Sequence, residues 1–345
     1  MAEFSTLIRQ WYRLNGRDLP WRETSNPYNI WLSEIMLQQT RVEQGLGYYL
    51  KFIKAFPKVT DLAKASEEDV LNLWQGLGYY SRARNLHATA KIISDEYQGV
   101  FPSKFDQILA LKGVGDYTAS AIASIAFNKP HAVVDGNVYR VLSRYMADKT
   151  PIDSTGGKKL FKTIAQELLS KEHPGDHNQA LMEIGALICL PKNPKCESCP
   201  LSETCLAYHQ NEMLAYPVKS KKIKVRDRFM EYLVMTDGNQ LIVKKREQKD
   251  IWQGLYDFPV IENRQKKSLS KKDIAQESVE WIKENGEFKH ILSHQRIYAR
   301  FWLIKCDQLK PKKNERIIAK NDIEEYPLPQ LLIRYIESSE FFRGE

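Results

Sequence analysis

The chain has 345 residues, 43% of them hydrophobic, and a formal net charge of +8 at pH 7. This length predicts two domains, each able to bury a core, and the positive charge favours a polyanionic partner such as nucleic acid. The N-terminus lacks a secretion-signal pattern and no apolar run approaches membrane-spanning length, so we expect a soluble cytoplasmic protein that is not bound to a membrane.

The spacing of the apolar residues divides the chain into a helical part and a strand-rich part. Residues 1–215 show mostly helical spacing and predict an all-α domain. Residues 216–228 are basic with little amphipathic pattern, which is typical of a linker. Residues 229–345 are rich in β-branched and aromatic runs separated by turn signals, with one helix predicted over about Lys272 to Glu284. We therefore predict a multidomain protein whose second domain is α+β.

The first candidate for chemistry is Glu34. Asn29 is predicted to cap a helix in which Glu34 lies between the apolar residues Leu32 and Ile35. A carboxyl pressed against apolar neighbours has a raised pKa, which suits a general acid at neutral pH. The alternative is a glutamate at the edge of the apolar stripe whose carboxylate reaches water.

A glycine turn with aromatic and basic residues follows at Gln75 to Arg84. Such a loop can insert a side chain into a base stack while its arginines hold phosphates. It is equally consistent with a turn in the core that carries a solvated basic face.

The segment from Phe105 to Phe127 predicts a helix, a tight turn and a second helix. The turn contains Gly113 and Gly115, which permit a sharp change of direction, and the second helix then begins with unpaired backbone N–H groups. These groups and the helix dipole suit a DNA phosphate. The alternative is an ordinary loop between packed helices, because two glycines separated by one residue are a weak signal.

Asp135 precedes another predicted helix, in the segment Ala132 to Asn137. An aspartate at this position is a good N-cap, and taken alone the segment favours that role. The hairpin just upstream would also place this carboxylate beside DNA. One residue can cap a helix and face a substrate at once.

Four cysteines form a C-x6-C-x2-C-x5-C run in a segment broken into turns by prolines. Four thiolates at this spacing can hold zinc or a cubane iron–sulfur cluster. Zinc sites usually have two C-x2–4-C pairs, whereas only Cys196 and Cys199 form one here, so the spacing favours the 4Fe-4S cluster. Cys306 stands apart and is predicted to be a small buried hydrophobe. The proposed ligands are Cys189, Cys196, Cys199 and Cys205.

Together these motifs resemble the helix-hairpin-helix base-excision glycosylases, and specifically the MutY-type adenine DNA glycosylases of the endonuclease III superfamily. The resemblance extends over nearly the whole chain. It is carried by the cysteine run and by the segments Trp31 to Glu34, Gln38 to Thr40, Gly76 to Tyr80, Leu111 to Ala119 and Val134 to Asn137.

The resemblance implies a monofunctional enzyme that flips adenine out of double-stranded DNA, where it is mispaired with 8-oxoguanine or guanine, and hydrolyses its glycosidic bond. Glu34 would protonate the base, Asp135 would stabilise the cationic sugar, and Asn137 would position Asp135. Tyr117 occupies the place of the lysine that forms a Schiff base in endonuclease III enzymes, so an efficient lyase step is not expected. The resemblance also implies contacts to DNA or to adenine from Gln39, Thr40, Tyr79, Gly113, Gly115 and Gln179.

The second domain resembles the Nudix-like domain with which MutY proteins recognise 8-oxoguanine. The carrier is Ile251 to Pro259, and the metal-binding box of a Nudix hydrolase does not follow it, so the domain is expected to bind rather than hydrolyse. Ser293 and His294 match the family's F-S-H loop and are the expected contacts to the oxidised base. Leu292 replaces the phenylalanine of that loop.

Two other functions fit parts of the sequence. One is an endonuclease III-like lyase that acts on oxidised pyrimidines, which Tyr117 and the second domain disfavour. The other is a DNA-binding protein without catalytic activity, in which the cluster only stabilises the fold. We expect a monomer, and because phosphate contacts dominate, an affinity for DNA that falls steeply with salt.

Overall fold

A computed structural model of the chain describes residues 2–220, 225–263, 265 and 279–343. The predicted helix–turn–helix between Phe105 and Phe127 is confirmed. The α-helices in chain order are α1 (Ala2–Asn15), α2 (Pro27–Met36), α3 (Val42–Ala55), α4 (Val59–Lys64), α5 (Glu67–Leu73), α6 (Ser81–Glu96), α7 (Phe105–Leu109), α8 (Asp116–Phe127), α9 (Gly136–Tyr145), α10 (Thr155–Leu168), α11 (Pro174–Leu187), α12 (Leu206–His209), α13 (Gln330–Ser338) and α14 (Glu340–Arg343).

The chain divides into two compact units. The first comprises Met1–Lys64 and Ala88–Lys221, and the second comprises Ala65–His87 and Lys222–Glu345. The sequence analysis did not anticipate that the segment around the glycine turn would belong with the C-terminal part. The domain boundaries predicted at residues 215 and 228 remain predictions.

The first unit is helical and contains an apolar core among α1, α8, α9, α10 and α11. Helix α11 packs against α1, α8 and α9, and α9 also packs against α10. Apolar residues at helical spacing supply the contacts, because residues three and four apart share one face of a helix. Among those buried in this core are Ile8, Val138, Leu142, Phe161, Leu181 and Ile184.

The second unit contains a mixed sheet. Its strands are β1 (Arg226–Thr236), β2 (Gln240–Lys245), β3 (Tyr256–Asp257), β4 (Val260–Asn263), β5 (Val279–Ile291), β6 (Gln295–Cys306) and β7 (Glu315–Ala319). The order is β3-β2-β1-β6-β5, with β4 also paired to β1 and β7 to β2. Strands β1 and β6 run parallel, in a register that sets Arg226 opposite Gln295 and Thr236 opposite Lys305.

Helix α13 covers one face of this sheet through stacked aromatic rings. The Phe301 ring on β6 lies 3.9 Å from the Tyr335 ring and 5.0 Å from the Tyr232 ring, nearly parallel to both. Each of these side chains is fully buried. Stacking adds to the free energy of burying large apolar surfaces and fixes how the helix sits on the sheet.

The predicted helix over Lys272 to Glu284 is wrong where the structure describes it. Residues 279–284 belong to β5, and residues 271–278 lie outside the described ranges. Strand β5 pairs with β6 over most of its length, so sheet hydrogen bonds override the local helical pattern. The helices that follow the sheet are α13 and α14 instead. The prediction that Cys306 is buried is confirmed.

None of the helices in the ranges described above is both long and apolar enough to cross a lipid bilayer.

Gly185 tests the packing of α11 against the start of α9. A Cβ atom at this glycine would lie 2.6 Å from the Cβ and 3.1 Å from the Cα of Asn137. We expect Gly185→Ala to lower the free energy of unfolding by about 1–3 kcal/mol, because two helix backbones must move apart. Urea unfolding measures the change.

Gly156 in α10 provides the matched control, since no atom lies within 4 Å of its added Cβ. Gly156→Ala should leave stability unchanged or raise it by up to about 1 kcal/mol through better helix propensity. Equal effects of the two substitutions would contradict the close packing at Gly185.

Candidate active site

The first unit contains a cavity of about 340 Å³ that brings together distant parts of the chain. Its lining includes side chains from α2, from the start of α8, from the start of α9 and from α11. Of the residues singled out in the sequence, six line it: Glu34, Thr40, Tyr117, Asp135, Asn137 and Gln179. Gln39, Gly113 and Gly115 are not among its lining residues.

Glu34 reaches this cavity from α2. Asn26 caps the helix by accepting a hydrogen bond from the Tyr28 N–H, so the prediction that Asn29 is the cap is wrong by one turn. Pro27 at the first helical position explains the shift, because proline has no N–H to satisfy there. Leu32 and Ile35 are buried on either side of Glu34, as the apolar pattern predicts.

The surroundings of Glu34 favour its protonated form. The pKa of Glu34 is raised from 4.5 to about 7 by burial and by the charge of the nearby Asp135, while Tyr117 and the charge of Arg22 oppose the rise. Burial is the largest of these effects. At neutral pH the carboxyl can therefore both hold and release a proton, which is the property of a general acid.

Asp135 caps α9 and faces the same cavity. Its Oδ1 accepts the Val138 N–H at 2.7 Å, and its Oδ2 accepts the side-chain amide of Asn137 at 3.0 Å. Burial raises the pKa of Asp135, and these hydrogen bonds act against that rise. Asp135 thus both caps α9 and faces the cavity, as the sequence indicated was possible.

Buried Asn178 holds the extended segment that leads to Asp135. Its Oδ1 accepts the Val133 N–H at 3.1 Å, and its Nδ2 donates to the His131 carbonyl at 2.8 Å. Since α11 carries Asn178, the packing of this helix sets the position of the Asp135 carboxylate.

Tyr117 lies on the first turn of α8, close to both carboxyls. Burial, followed by the charges of Glu34 and Asp135, raises the pKa of Tyr117 well above its usual value. The phenol therefore stays protonated at any physiological pH, and it donates to the Met182 sulfur at 3.3 Å. A protonated phenol offers no amine and no anionic nucleophile to a substrate.

An ion cluster around the buried Glu183, which the sequence analysis missed, lines the cavity. Arg17 and Arg22 each donate two side-chain hydrogen bonds to the Glu183 carboxylate, at 2.6–3.0 Å. These guanidinium groups overcome the effect of burial and lower the pKa of Glu183 to about 2. The sequence did contain a signal for this cluster. Glu183 lies between the apolar residues Met182 and Ile184, much as Glu34 lies between Leu32 and Ile35.

The N-terminal end of α8 is open on its outer side. Gly113 has φ +78, a conformation that favours glycine, whereas Gly115 has φ −97 and needs no glycine for its backbone. A Cβ at Gly115 would meet no protein atom within 4 Å. The small residue therefore leaves space beside the free N–H groups of a 12-residue helix.

The four cysteines of the predicted cluster line one cavity, next to the buried Arg144. Arg144 Nη1 lies 3.3 Å from the Cys189 sulfur, and the guanidinium otherwise donates to backbone carbonyls. Burial raises the pKa of Cys199 to about 12. In the described part of the chain, no three side chains of His, Cys, Asp or Glu converge on a point where a single metal ion could sit.

Arg140 connects the cysteine segment to Asp135, which the sequence analysis also missed. Its Nε donates to the Cys189 carbonyl at 2.6 Å and its Nη2 to the Asn137 side chain at 2.9 Å. Asn137 in turn donates to Asp135. The only sequence signal was the i, i+4 spacing of Arg140 and Arg144 on one face of α9.

The remaining predicted contacts, Tyr79, Ser293 and His294, belong to the second unit. Tyr79 has φ +49 and is 41% exposed, and its hydroxyl lies 3.5 Å from the Ser293 hydroxyl. Ser293 and His294 are exposed, and the Ser293 hydroxyl lies 3.3 Å from the His294 ring. The glycine turn and the F-S-H-like loop therefore meet.

Two family models match the chain. One describes an "HhH-GPD superfamily base excision DNA repair protein" and matches residues 32–167, and the other describes a NUDIX domain and matches residues 231–338. The helical unit with its hairpin and the unit with the mixed sheet correspond to these two matches. The fold thus defines a helix-hairpin-helix repair protein with an added Nudix-like domain.

Relatives extend the match to most of the chain. An adenine DNA glycosylase of Buchnera aphidicola subsp. Baizongia pistaciae is 40% identical over 314 residues, which cover 87% of this chain and 86% of the relative. The adenine DNA glycosylase of Homo sapiens is 33% identical and covers 85% of this chain and 65% of the human protein. The chain belongs to the adenine DNA glycosylase family.

Solved structures share the fold of the first unit. A thermostable thymine-DNA glycosylase is 32% identical with a TM-score of 0.56, over 60% of this chain and 95% of that one. A non-covalent endonuclease III–DNA complex is 22% identical with a TM-score of 0.50, over 59% of this chain and 94% of that one. At 22% identity, the similarity to the endonuclease III complex shows only that the fold is shared.

The raised pKa of Glu34 predicts a pH-dependent stability. The folded protein keeps this proton up to about pH 7, whereas the unfolded chain releases it near pH 4.5. The proton therefore stabilises the folded state at pH 5, and this contribution is lost as the pH rises through 7. Glu34→Gln should remove this contribution. Between pH 5 and pH 8, the free energy of unfolding of the variant should therefore rise relative to that of the wild type by on the order of 2 kcal/mol, as measured by urea unfolding.

Glu96→Gln, at the exposed end of α6, is the control and should leave the pH profile of the wild type unchanged. If Glu34→Gln and the wild type lost stability equally between pH 5 and pH 8, Glu34 would not titrate in this range.

Proposed function

We propose that this protein removes adenine from double-stranded DNA in which it is paired with 8-oxoguanine or guanine, by hydrolysis of the N-glycosidic bond. The observation that supports this most directly is the pair of carboxyls in one cavity, with Glu34 tuned to hold a proton near pH 7. Hydrolysis of a glycosidic bond uses such a pair, one as acid and one as stabiliser. Relatives named adenine DNA glycosylase supply the substrate.

Glu34 acts as the general acid. Protonation of the adenine ring converts it into a neutral leaving group, and the bond to the sugar then breaks with the positive charge left on deoxyribose. Burial keeps the proton on Glu34 until a basic ring nitrogen enters the cavity.

Asp135 stabilises the cationic sugar and directs water to it. Its carboxylate is held by the Val138 N–H and the Asn137 amide, so little reorganisation is needed when the charge develops. Asn137 is the positioning residue, itself held by Arg140.

Tyr117 makes the enzyme monofunctional. A lyase step requires an amine that can form an imine with the sugar, and a protonated phenol cannot do so. Tyr117 instead lines the cavity together with Glu34 and helps to shape it.

The DNA backbone docks at the N-terminus of α8, where Gly113 and Gly115 expose N–H groups to a phosphate. Thr40 and Gln179 line the cavity that receives the extruded adenine. Gln39, with φ +56, precedes Thr40 on the loop after α2 and contacts the DNA. Extrusion is required because the glycosidic bond is inaccessible within the base stack.

The second unit recognises 8-oxoguanine through Ser293 and His294, with Tyr79 next to them at the exposed turn. The enzyme acts as a monomer in the cytoplasm, where a bacterial chromosome lies, and its closeness to bacterial relatives supports this location.

The four cysteines hold a 4Fe-4S cluster. A cubane binds each thiolate through a different iron atom, so its ligands need not converge on one point as they must around zinc. When bound, the cluster cross-links the segment that follows α11. Arg144 offsets the negative charge of the thiolates, and Arg140 holds the Cys189 backbone.

A base-release assay tests the proposal. Wild-type protein should convert a duplex with adenine opposite 8-oxoguanine into an alkali-labile product. Glu34→Gln should lower the rate by at least about 100-fold while DNA affinity is retained, because the acid is lost and the docking surface is not. Glu96→Gln should be as active as the wild type. Binding without base release by the wild type would identify a non-catalytic DNA-binding protein instead.

Tyr117→Lys separates hydrolysis from lyase chemistry. The new amine would lie beside Asp135, so borohydride should trap a covalent protein–DNA adduct with the variant and little with the wild type. Efficient trapping by the wild type would favour the lyase alternative.

Metal analysis tests the cluster. We expect about four iron atoms and four sulfides per chain, with visible absorbance, whereas a zinc site would contain one colourless metal ion. Cys199→Ser should lose iron and stability together. Cys306→Ser, in the β-sheet unit, should keep the full iron content. Iron content that is unaffected by Cys199→Ser would contradict the assignment.

A further inference from the structure

A hydrogen bond between α1 and α11 joins a residue of the candidate active site to one outside it. The Tyr12 hydroxyl donates to Gln179 Oε1 at 2.9 Å, and the two residues are 167 positions apart in the chain. Gln179 lines the cavity that contains Glu34 and Asp135, whereas Tyr12 is not among its lining residues. The Tyr12 hydroxyl therefore acts on the cavity through Gln179.

Tyr12 is the donor in this hydrogen bond, and this determines which end of the Gln179 amide is left for a ligand. Burial raises the pKa of Tyr12, so the hydroxyl keeps its proton at neutral pH. Among the described residues, that proton has no acceptor other than Gln179. A side-chain amide has one oxygen that accepts and one nitrogen with two N–H donors. Because Tyr12 engages the oxygen, Gln179 Nε2 is left to donate to a ligand in the cavity.

Two neighbours hold the Tyr12 ring in place. The Arg22 guanidinium lies 5.4 Å from the ring centroid, and it is itself fixed by two hydrogen bonds to the Glu183 carboxylate. A Cβ atom added at Gly16 would lie 2.8 Å from a carbon of the ring, so this glycine packs closely against it. The ring therefore has little freedom to turn its hydroxyl away from Gln179.

The oriented amide adds a second donor to the cavity. Glu34 keeps its proton up to about pH 7, and Gln179 contributes an N–H group, so a base that enters meets two donors. Adenine suits such a pair, because its ring nitrogens N1, N3 and N7 are all acceptors. A donor that is already held in place needs little reorganisation when the base arrives.

We infer that Tyr12 is a positioning residue for base removal, which holds the Gln179 amide so that its N–H group donates to a ring nitrogen of the extruded base. The inference rests on the proposed function and deepens it, because it assigns to the same reaction a residue outside the cavity. Without the hydroxyl, the Gln179 amide can rotate and present its oxygen instead. The base is then held less often in the orientation in which Glu34 protonates it.

Single-turnover base release from a duplex with adenine opposite 8-oxoguanine tests the role of the hydroxyl. Tyr12→Phe should lower the rate at saturating protein about tenfold, which corresponds to about 1.4 kcal/mol of activation free energy. The protein concentration for half-maximal rate should stay within about twofold of the wild type, because the phosphate contacts that dominate DNA affinity are kept. Tyr139→Phe is the matched control and should be as active as the wild type. Tyr139 is half-buried in the same unit, and its hydroxyl forms no hydrogen bond with any described residue.

A double-mutant cycle separates positioning from a general effect on the fold. Gln179→Ala should also slow base release, and Tyr12→Phe should add no further loss in that background, because its target is gone. A tenfold loss that persists in the Gln179→Ala background would overturn the inference. Equal rates for the wild type and Tyr12→Phe would overturn it as well, but would leave the proposed function intact. Absence of base release by the wild type would instead overturn the proposed function, and the inference with it.

Substrate analogues test whether Gln179 donates to a ring nitrogen. The duplexes carry 1-deaza-, 3-deaza- or 7-deazaadenine, each of which has C–H in place of one ring nitrogen and so lacks one acceptor. One of these replacements should slow the wild type about tenfold more than it slows Gln179→Ala, as expected for one hydrogen bond, and Tyr12→Phe should respond as Gln179→Ala does. If all three analogues slowed the wild type and Gln179→Ala by equal factors, the N–H assignment would be wrong.

Discussion

A carboxyl group that is buried among apolar side chains is costly to ionise, and this constraint governs the candidate site of the first unit. Glu34 is pressed between buried apolar residues, so its proton is retained to about pH 7. Asp135 receives hydrogen bonds from Val138 and Asn137, which favour its charged form. Burial thus favours the protonated form of Glu34, and hydrogen bonds favour the charged form of Asp135, which are the states that the proposed acid and stabiliser require.

Contacts between and around helices α9 and α11 position Asp135. Gly185 lets the two helices approach, Asn178 holds the chain just before Asp135, and Arg140 ties Asn137 to the backbone of Cys189. The cysteine segment and Asp135 therefore belong to one hydrogen-bonded network. Distortion at the cysteines would be transmitted to Asp135 through ordinary packing and two guanidinium hydrogen bonds.

The second unit is organised around its mixed sheet. Its sheet is stabilised by stacked rings on one face and by ion pairs that each include one buried side chain, Asp257 with Arg246 and Arg228 with Glu262. In each of these pairs, a charged side chain has an oppositely charged partner within the same unit.

The sequence alone determined the helical and strand-rich parts, the hairpin at Gly113, the cap at Asp135 and the burial of Cys306, because local periodicity, turn residues and capping are short-range properties. It misplaced the helix cap at Asn29 and the helix before Glu284, where a nearby proline and long-range strand pairing decided the outcome. Only the tertiary structure brought Glu34, Tyr117 and Asp135 to one cavity, and only it revealed Glu183 and Arg140. Glu183 pairs with Arg17 across 166 residues, and Arg140 bonds the Cys189 carbonyl across 49 residues. A pKa or a hydrogen bond depends on neighbours in space, which no local pattern encodes.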